Sequence, residues 1–135
     1  MPPLAEDRNT LERSGDSVAH PLAAATIIFA GSLVALDAAG NAVPGSVATT
    51  LTAAGRAEEQ VDNSAGAAGD LSVLVRRGVF QFKNSAGDPI DRTHIGGTAY
   101  IEDDETVSAT DGTGTRSAAG KIIDLDSAGV WIEIG

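Results

Sequence analysis

Along Leu71–Lys83 (LSVLVRRGVFQFK) large apolar side chains alternate with others, and the alternation changes phase midway. Leu71, Val73 and Val75 hold odd positions, whereas Phe80 and Phe82 hold even ones. Side chains of an extended chain point alternately to two faces, so a straight strand cannot change phase. The pattern predicts a strand on each side of Arg77–Gly78, with a bulge or tight turn between them that restores the buried face. Gly78 suits that place because it takes a positive φ without a Cβ clash.

The same reading extends over the chain. Thr26–Ala30 and Leu33–Asp37 read as strands around Gly31–Ser32. Ala38–Asn41 reads as a turn, Ala42–Val43 as a return strand, and Pro44–Gly45 as its stop. Ala48–Ala54 is threonine-rich and strand-like, and Gly55–Val61 has strand or edge character. Asp62–Asp70 is small and polar throughout and reads as a loop or hairpin tip. Asn84–Asp88 is a turn, and Asp91–Ile95 a single helical turn with Asp91 as N-cap, ended by Gly96–Gly97. Thr98–Asp103 and Thr106–Thr110 are strands, followed by the loop Asp111–Thr115. The clearest hairpin is the last, with Gly120–Asp126 and Val130–Ile134 flanking Ser127–Gly129. In it Val130, Ile132 and Ile134 share one face, and Trp131 and Glu133 the other. About eight or nine short strands without an amphipathic helix predict an all-β fold, a compact sandwich or barrel.

Residues 1–21 follow no such pattern. MPPLAEDRNTLERSGDSVAHP is polar and carries only Leu4, Leu11 and Val18 as larger aliphatics. It predicts an extended N-terminal arm, flexible or ordered on a neighbour, ahead of a β domain over 22–135. The seven-residue spacing of Leu4 and Leu11 allows a short induced helix over Leu4–Arg13.

Composition narrows the function. The chain has 135 residues, no cysteine and a formal net charge of −10. Thiolate chemistry and disulfides are therefore excluded. The nine basic residues are scattered, with Arg76–Arg77 the only adjacent pair, which argues against nucleic acid as a partner. The first residues lack the pattern of a signal peptide, and no apolar run approaches the roughly 20 residues of a membrane helix. A protein made in a reducing cytoplasm fits.

Candidate chemistry is sparse. His20 and His94 have no metal-ligand spacing, and no Gly-x-Ser-x-Gly elbow accompanies His94. The acidic run Glu102–Glu105 offers hard ligands for Ca²⁺, but four successive carboxylates on an extended chain diverge, so it reads as a solvated turn. Asp124–Gly129 resembles part of a calcium loop without its twelfth-position glutamate and reads as a hairpin turn. Asp111–Thr115 lacks the lysine of a phosphate loop. No catalytic, metal or cofactor-binding residue is assigned. Trp131 lies on a strand apolar on both faces, which predicts a covered contact.

From about Ala24 onward the chain resembles the small head decoration, or cement, proteins of tailed bacteriophages. The resemblance is carried by four segments in order: AGSLVALD-AAGNAVP (30–44); Gly55–Ala57 with LSVLVRRGVFQF (71–82); IGGTAYIEDDETVSAT (95–110); and AGKIIDLDSAGVWIEIG (119–135). It implies a β-tulip or barrel-like domain on the outer surface of a phage head, made in the bacterial host cytoplasm. It implies a homo-oligomer, often a trimer and sometimes a dimer, bridging copies of the major capsid protein. It offers no catalytic residues to carry over, so no enzyme activity or cofactor is expected; with the acidic charge and the absence of a long apolar run, no nucleic-acid or membrane partner is expected either. On this reading Leu4, Leu11, Asp62, Asn63 and Trp131 are the candidate partner-binding residues. A tail or fibre β module, or a small β-barrel ligand-binding protein or enzyme, is the rival reading.

Overall fold

A computed structural model of the chain describes residues 3–11 and 15–135. The fold is all-β, with twelve short strands among the described residues. A five-stranded antiparallel sheet has the order β1 (Ser17–Pro21), β7 (Ser72–Arg76), β5 (Thr52–Ala57), β3 (Leu33–Leu36), β4 (Ala42–Pro44). A five-stranded barrel runs β10 (Thr106–Ser108), β8 (Gly78–Asn84), β12 (Gly129–Ile134), β11 (Ala118–Asp126), β9 (Thr98–Ile101) and closes by pairing β9 with β10. Its pairs are antiparallel except β8 with β10. A third, two-stranded ribbon joins β2 (Thr26–Ile28) to β6 (Val61–Asn63). Arg92–His94 forms one 3-10 turn. The Asp91 side chain accepts from the Thr93 amide at 2.9 Å and caps it, as its position predicts.

The phase change at Arg77–Gly78 is where the chain passes from sheet to barrel. Val73 and Val75 on β7 are buried with Leu22, Ile28 and Val34 in one core. Phe82 on β8 is buried with Ile101, Ile122 and Ile132 in a second core, inside the barrel. The break therefore does not restore one buried face. It hands the apolar face over to another core, with Gly78 at φ +154° making the corner. One strand serves both cores. Leu33 and Ala35 of β3 pack into the barrel core and Val34 into the other, so β3 is buried on both faces. That explains its unbroken apolar sequence, LVAL.

The strand count exceeds the eight or nine expected. Asp62 and Asn63 belong to a strand rather than a loop, because they pair with Ile27 and Thr26. The two stretches read across Ala48–Val61 meet in the single strand β5. The register shifts between Val34 and Ala35, so β5 carries a bulge at Ala54–Gly55, and Gly55 at φ +148° absorbs it without breaking the strand.

The arm ends earlier than predicted. Ser17–Pro21 is β1, paired over its whole length with β7. Its alternation is weak because edge placement leaves its side chains half or fully exposed, which hid it in the sequence. The Leu22 amide then donates to the Leu71 carbonyl, Leu22 bridges Ala42 in parallel, and the Ala23 amide donates to the Ala42 carbonyl. The chain after β1 thus ties one edge of the sheet to the other. Over Leu4–Leu11 there is no helical turn; Glu12 and Arg13, the rest of the expected induced helix, lie outside the described residues. Trypsin is expected to cut after the exposed Arg8 and leave the segment from β1 onward intact; mass spectrometry after brief digestion checks it.

Candidate functional site

The five residues singled out from the sequence fall in three places: the segment ahead of β1, β6 and β12. Leu4 and Leu11, ahead of β1, are 74% and 87% exposed. Asp62 is exposed on β6, where its Oδ1 accepts from the Ser64 amide at 2.9 Å. The Ser64 hydrogen bonds hold its carboxyl below the usual carboxylate range. Asn63 is 2% exposed, and this corrects its assignment as a contact residue. Its Nδ2 donates to the carbonyls of Ala23 and Ala67, at 3.0 and 3.1 Å, pinning the loop after β6 to the chain before β2. A buried amide is kept by such internal bonds, not by a partner. Trp131 stands on the outer wall of the barrel at 37% exposure, between Gln81 on β8 and Asp124 on β11. Its ring is partly covered within the chain and partly open.

The histidines lie on separate elements. His20 on β1 lies across from Val73, and burial lowers its pKa. His94 Nδ1 accepts from the Asp91 amide at 2.9 Å and completes the cap of the 3-10 turn. In the last hairpin Asp126 Oδ1 accepts from the amides of Ala128 and Gly129, at 2.8 and 3.2 Å, and so fixes the turn. Among the described residues no three His, Asp or Glu side chains gather as a metal site, and no helix is long and apolar enough to cross a membrane.

The acidic run divides as divergent carboxylates should. Glu105 pairs with Lys83 at 2.7 Å, and Asp103 Oδ1 accepts from the Glu105 amide at 2.9 Å. Asp104 is half-buried, and burial first, then the charges of Asp103 and Glu105, raises its pKa. Glu102 departs from the expected solvated turn. It turns inward, accepts from Ser85 Oγ at 2.7 Å, and lies 3.6 Å from Arg116 Nη2.

That contact belongs to a polar cluster the sequence did not reveal. Arg116 Nη1 donates to Asp88 Oδ2 at 3.0 Å and to the Thr110 carbonyl at 3.2 Å. Asp88 Oδ2 also accepts from the Thr110 hydroxyl and amide, at 2.6 and 3.0 Å. Ser85 Oγ accepts from the Asp88 amide at 3.0 Å. The cluster clamps the loop after β8 to the segments after β9 and β10, at one end of the barrel. The Thr110 hydroxyl first, and Arg116 after it, hold the Asp88 carboxyl below the usual range. A carboxyl depressed by folding stabilises the fold above its unfolded pKa, near 3.8, and that contribution is lost as pH falls through the folded value. Asp88→Asn is therefore expected to lower the urea midpoint at pH 7, with the gap to the native chain closing below about pH 4. A gap that is constant with pH counts against the assignment.

A second feature lies where two turns meet. Phe29, Ala30, Gly31 and Ser32, between β2 and β3, face Asp104 and Glu105, between β9 and β10, across an open groove of about 500 Å³. The Leu33 amide donates to the Asp104 carbonyl at 2.8 Å and the Gly31 amide to the Ala57 carbonyl at 2.9 Å, so both walls are fixed by backbone bonds. Gly31 takes φ +84°, which turns the chain there. Phe29, on one wall of the groove, is 56% exposed. The sequence signal for it was thin: one aromatic before a glycine, and an acidic run far along the chain.

Comparison with known proteins returns no match: no family model fits the chain, and no curated protein or solved structure is similar to it.

Proposed function

We propose that this chain is a structural virion protein, a decoration or cement subunit on the outer surface of a tailed-phage head. The observation that carries the reading is the ordered series of four segments resembling that family, spread over residues 30–135. Those segments supply β3–β4, part of β5 with β7–β8, β9–β10 and β11–β12, and so most of the sheet and the whole barrel. Two further features support it. The net charge of −10 favours solubility before assembly and disfavours a place beside packed DNA. The segment ahead of β1 holds two leucines exposed to water, which suits contact with a neighbour.

In this role the protein acts as a homotrimer or dimer that spans neighbouring copies of the major capsid protein. A subunit that binds only the intact shell stabilises it by mass action, because opening a seam must also break those contacts. Catalysis has no part in it. Heads assembled without the protein should form but release DNA at a lower temperature, and adding the purified protein back should restore the transition. Heads equally robust without it, or localisation to the tail by immunogold labelling, would sink the reading.

A further inference from the structure

The outer wall of the barrel over β8, β12 and β11 carries the one tryptophan of the chain, and the strands gather apolar side chains around it. Trp131 on β12 lies across from Gln81 on β8 and Asp124 on β11. The register of β11 shifts between Ile122 and Asp124, so two β11 residues, Ile123 and Asp124, stand opposite the single Trp131. Both are exposed, whereas Ile122 is buried. Regular alternation would turn one of the two inward; the bulge instead sets an isoleucine on the outside, at the register position of the tryptophan. Val79 on β8, across from Glu133, lies on the same wall. Val79, Ile123 and Trp131 are 43%, 39% and 37% exposed.

The charges of this wall are arranged around that centre. Lys121 on β11 lies directly across from Glu133 on β12, and both are exposed. Among the described residues neither forms an ion pair, with the other or with a third group. The neighbouring charges are engaged within the chain, Asp124 with Arg92 at 3.4 Å and Lys83 with Glu105 at 2.7 Å. A half-turn about an axis along the strands, midway between β11 and β12, lays β11 of one copy over β12 of another. Lys121 then meets Glu133, and Ile123 meets Trp131. The pattern is thus its own complement, which is the condition for a twofold contact between identical chains.

We infer that this wall is the face on which two copies of the chain meet about a twofold axis. Trp131 of each copy packs on the partner's Ile123, with Val79 at the margin. Lys121 pairs with the partner's Glu133, and the symmetry makes that pair twice. An aromatic anchor inside a charged rim is the usual composition of a protein contact. The charge pattern selects a second copy over an unlike partner, because each sign on the wall finds its opposite on the same wall. A convex wall of three strands offers little area, so the association is weak. The inference stands on this face alone. It fits the capsid role without needing it, and the reconstitution of heads reads that role separately.

The test is sedimentation velocity of the full chain over about 10 µM to 1 mM, which should show a monomer passing to a dimer. The emission of Trp131 should move to shorter wavelength over the same range as the ring leaves water. Lys121→Glu and Glu133→Lys should each weaken association roughly tenfold or more, since like charges then face each other. Mixed in equal amounts, the two variants should associate again, because every mixed pair restores opposite charges at both contacts. Trp131→Ala should remain monomeric with the circular dichroism of the native chain; should it fail to fold, the charge-exchanged mixture decides alone. A chain that stays monomeric throughout, an oligomer unmoved by either charge exchange, such as a trimer built on another face, or a mixture that associates no better than its components overturns the proposal.

Discussion

Gly55→Ala should leave the chain largely unfolded or lower its stability by about 3–5 kcal/mol, from backbone strain and overpacking together. Gly55 sits in the β5 bulge at φ +148°, a conformation an L side chain rarely adopts. A Cβ there would overlap the carbonyl oxygen of Arg76 on the paired strand and press on the Val75 side chain. Backbone is the obstacle, so no rotamer change relieves it. β5 and β7 would have to separate at the point where β7 leaves for the barrel. Gly87→Ala is the control, since its added Cβ meets nothing within 4 Å and its φ is ordinary. Its unfolding free energy from urea denaturation should match the native one within about 0.5 kcal/mol. A Gly55→Ala chain as stable as the control would show that β5 is not held against β7 as described.

Phe82→Ala should cost about 3–5 kcal/mol, the range for a large aromatic removed from a core. Phe82 is 6% exposed inside the barrel and lies across from Val130 on β12. Around it are Ile101, Ile122 and Ile132, held on strands of a closed ring that cannot collapse freely into the space left. Phe80, two residues earlier, is the contrast. Its ring lies 4.5 Å from the Arg56 guanidinium and is only partly buried against the barrel core, so its removal should cost less. Urea denaturation of the two variants side by side checks the order, and a smaller loss at Phe82 than at Phe80 would contradict the placement.

The sequence showed what depends on local alternation. The hairpin of β11 and β12, the corner at Gly78 and the capped turn after Asp91 were all legible, because each is written within a short, continuous stretch of chain. The corner was legible as a break but not in its purpose, since a phase change alone does not tell one core from two. β1 was hidden because SVAHP has little alternation of its own and is defined by pairing with β7, some fifty residues on. Asn63 looked like a turn residue beside Ser64, whereas its burial depends on carbonyls at Ala23 and Ala67. Arg116 stands alone after DGTGT with no local mark, and its carboxylate partner Asp88 is 28 residues away. Of the groove, Asp104 was visible only as one acid among four, and Ser32 as one small residue in a turn. Long-range polar partners carry no periodic signal, so the sites they build emerge only when the strands are placed.

The tie that Leu22 makes between the two margins of the five-stranded sheet bears on how many copies can crowd together. An unpaired strand margin is a template on which another chain can add and extend the sheet without limit. Here the barrel has no margin at all. In the sheet, the final residue of β1 is Pro21, that of β4 is Pro44, and Leu22 and Ala23 already engage Ala42 on the β4 side. Proline offers no N–H to an incoming strand. These features shorten the free margins of the five-stranded sheet and so hinder the addition of a further strand there.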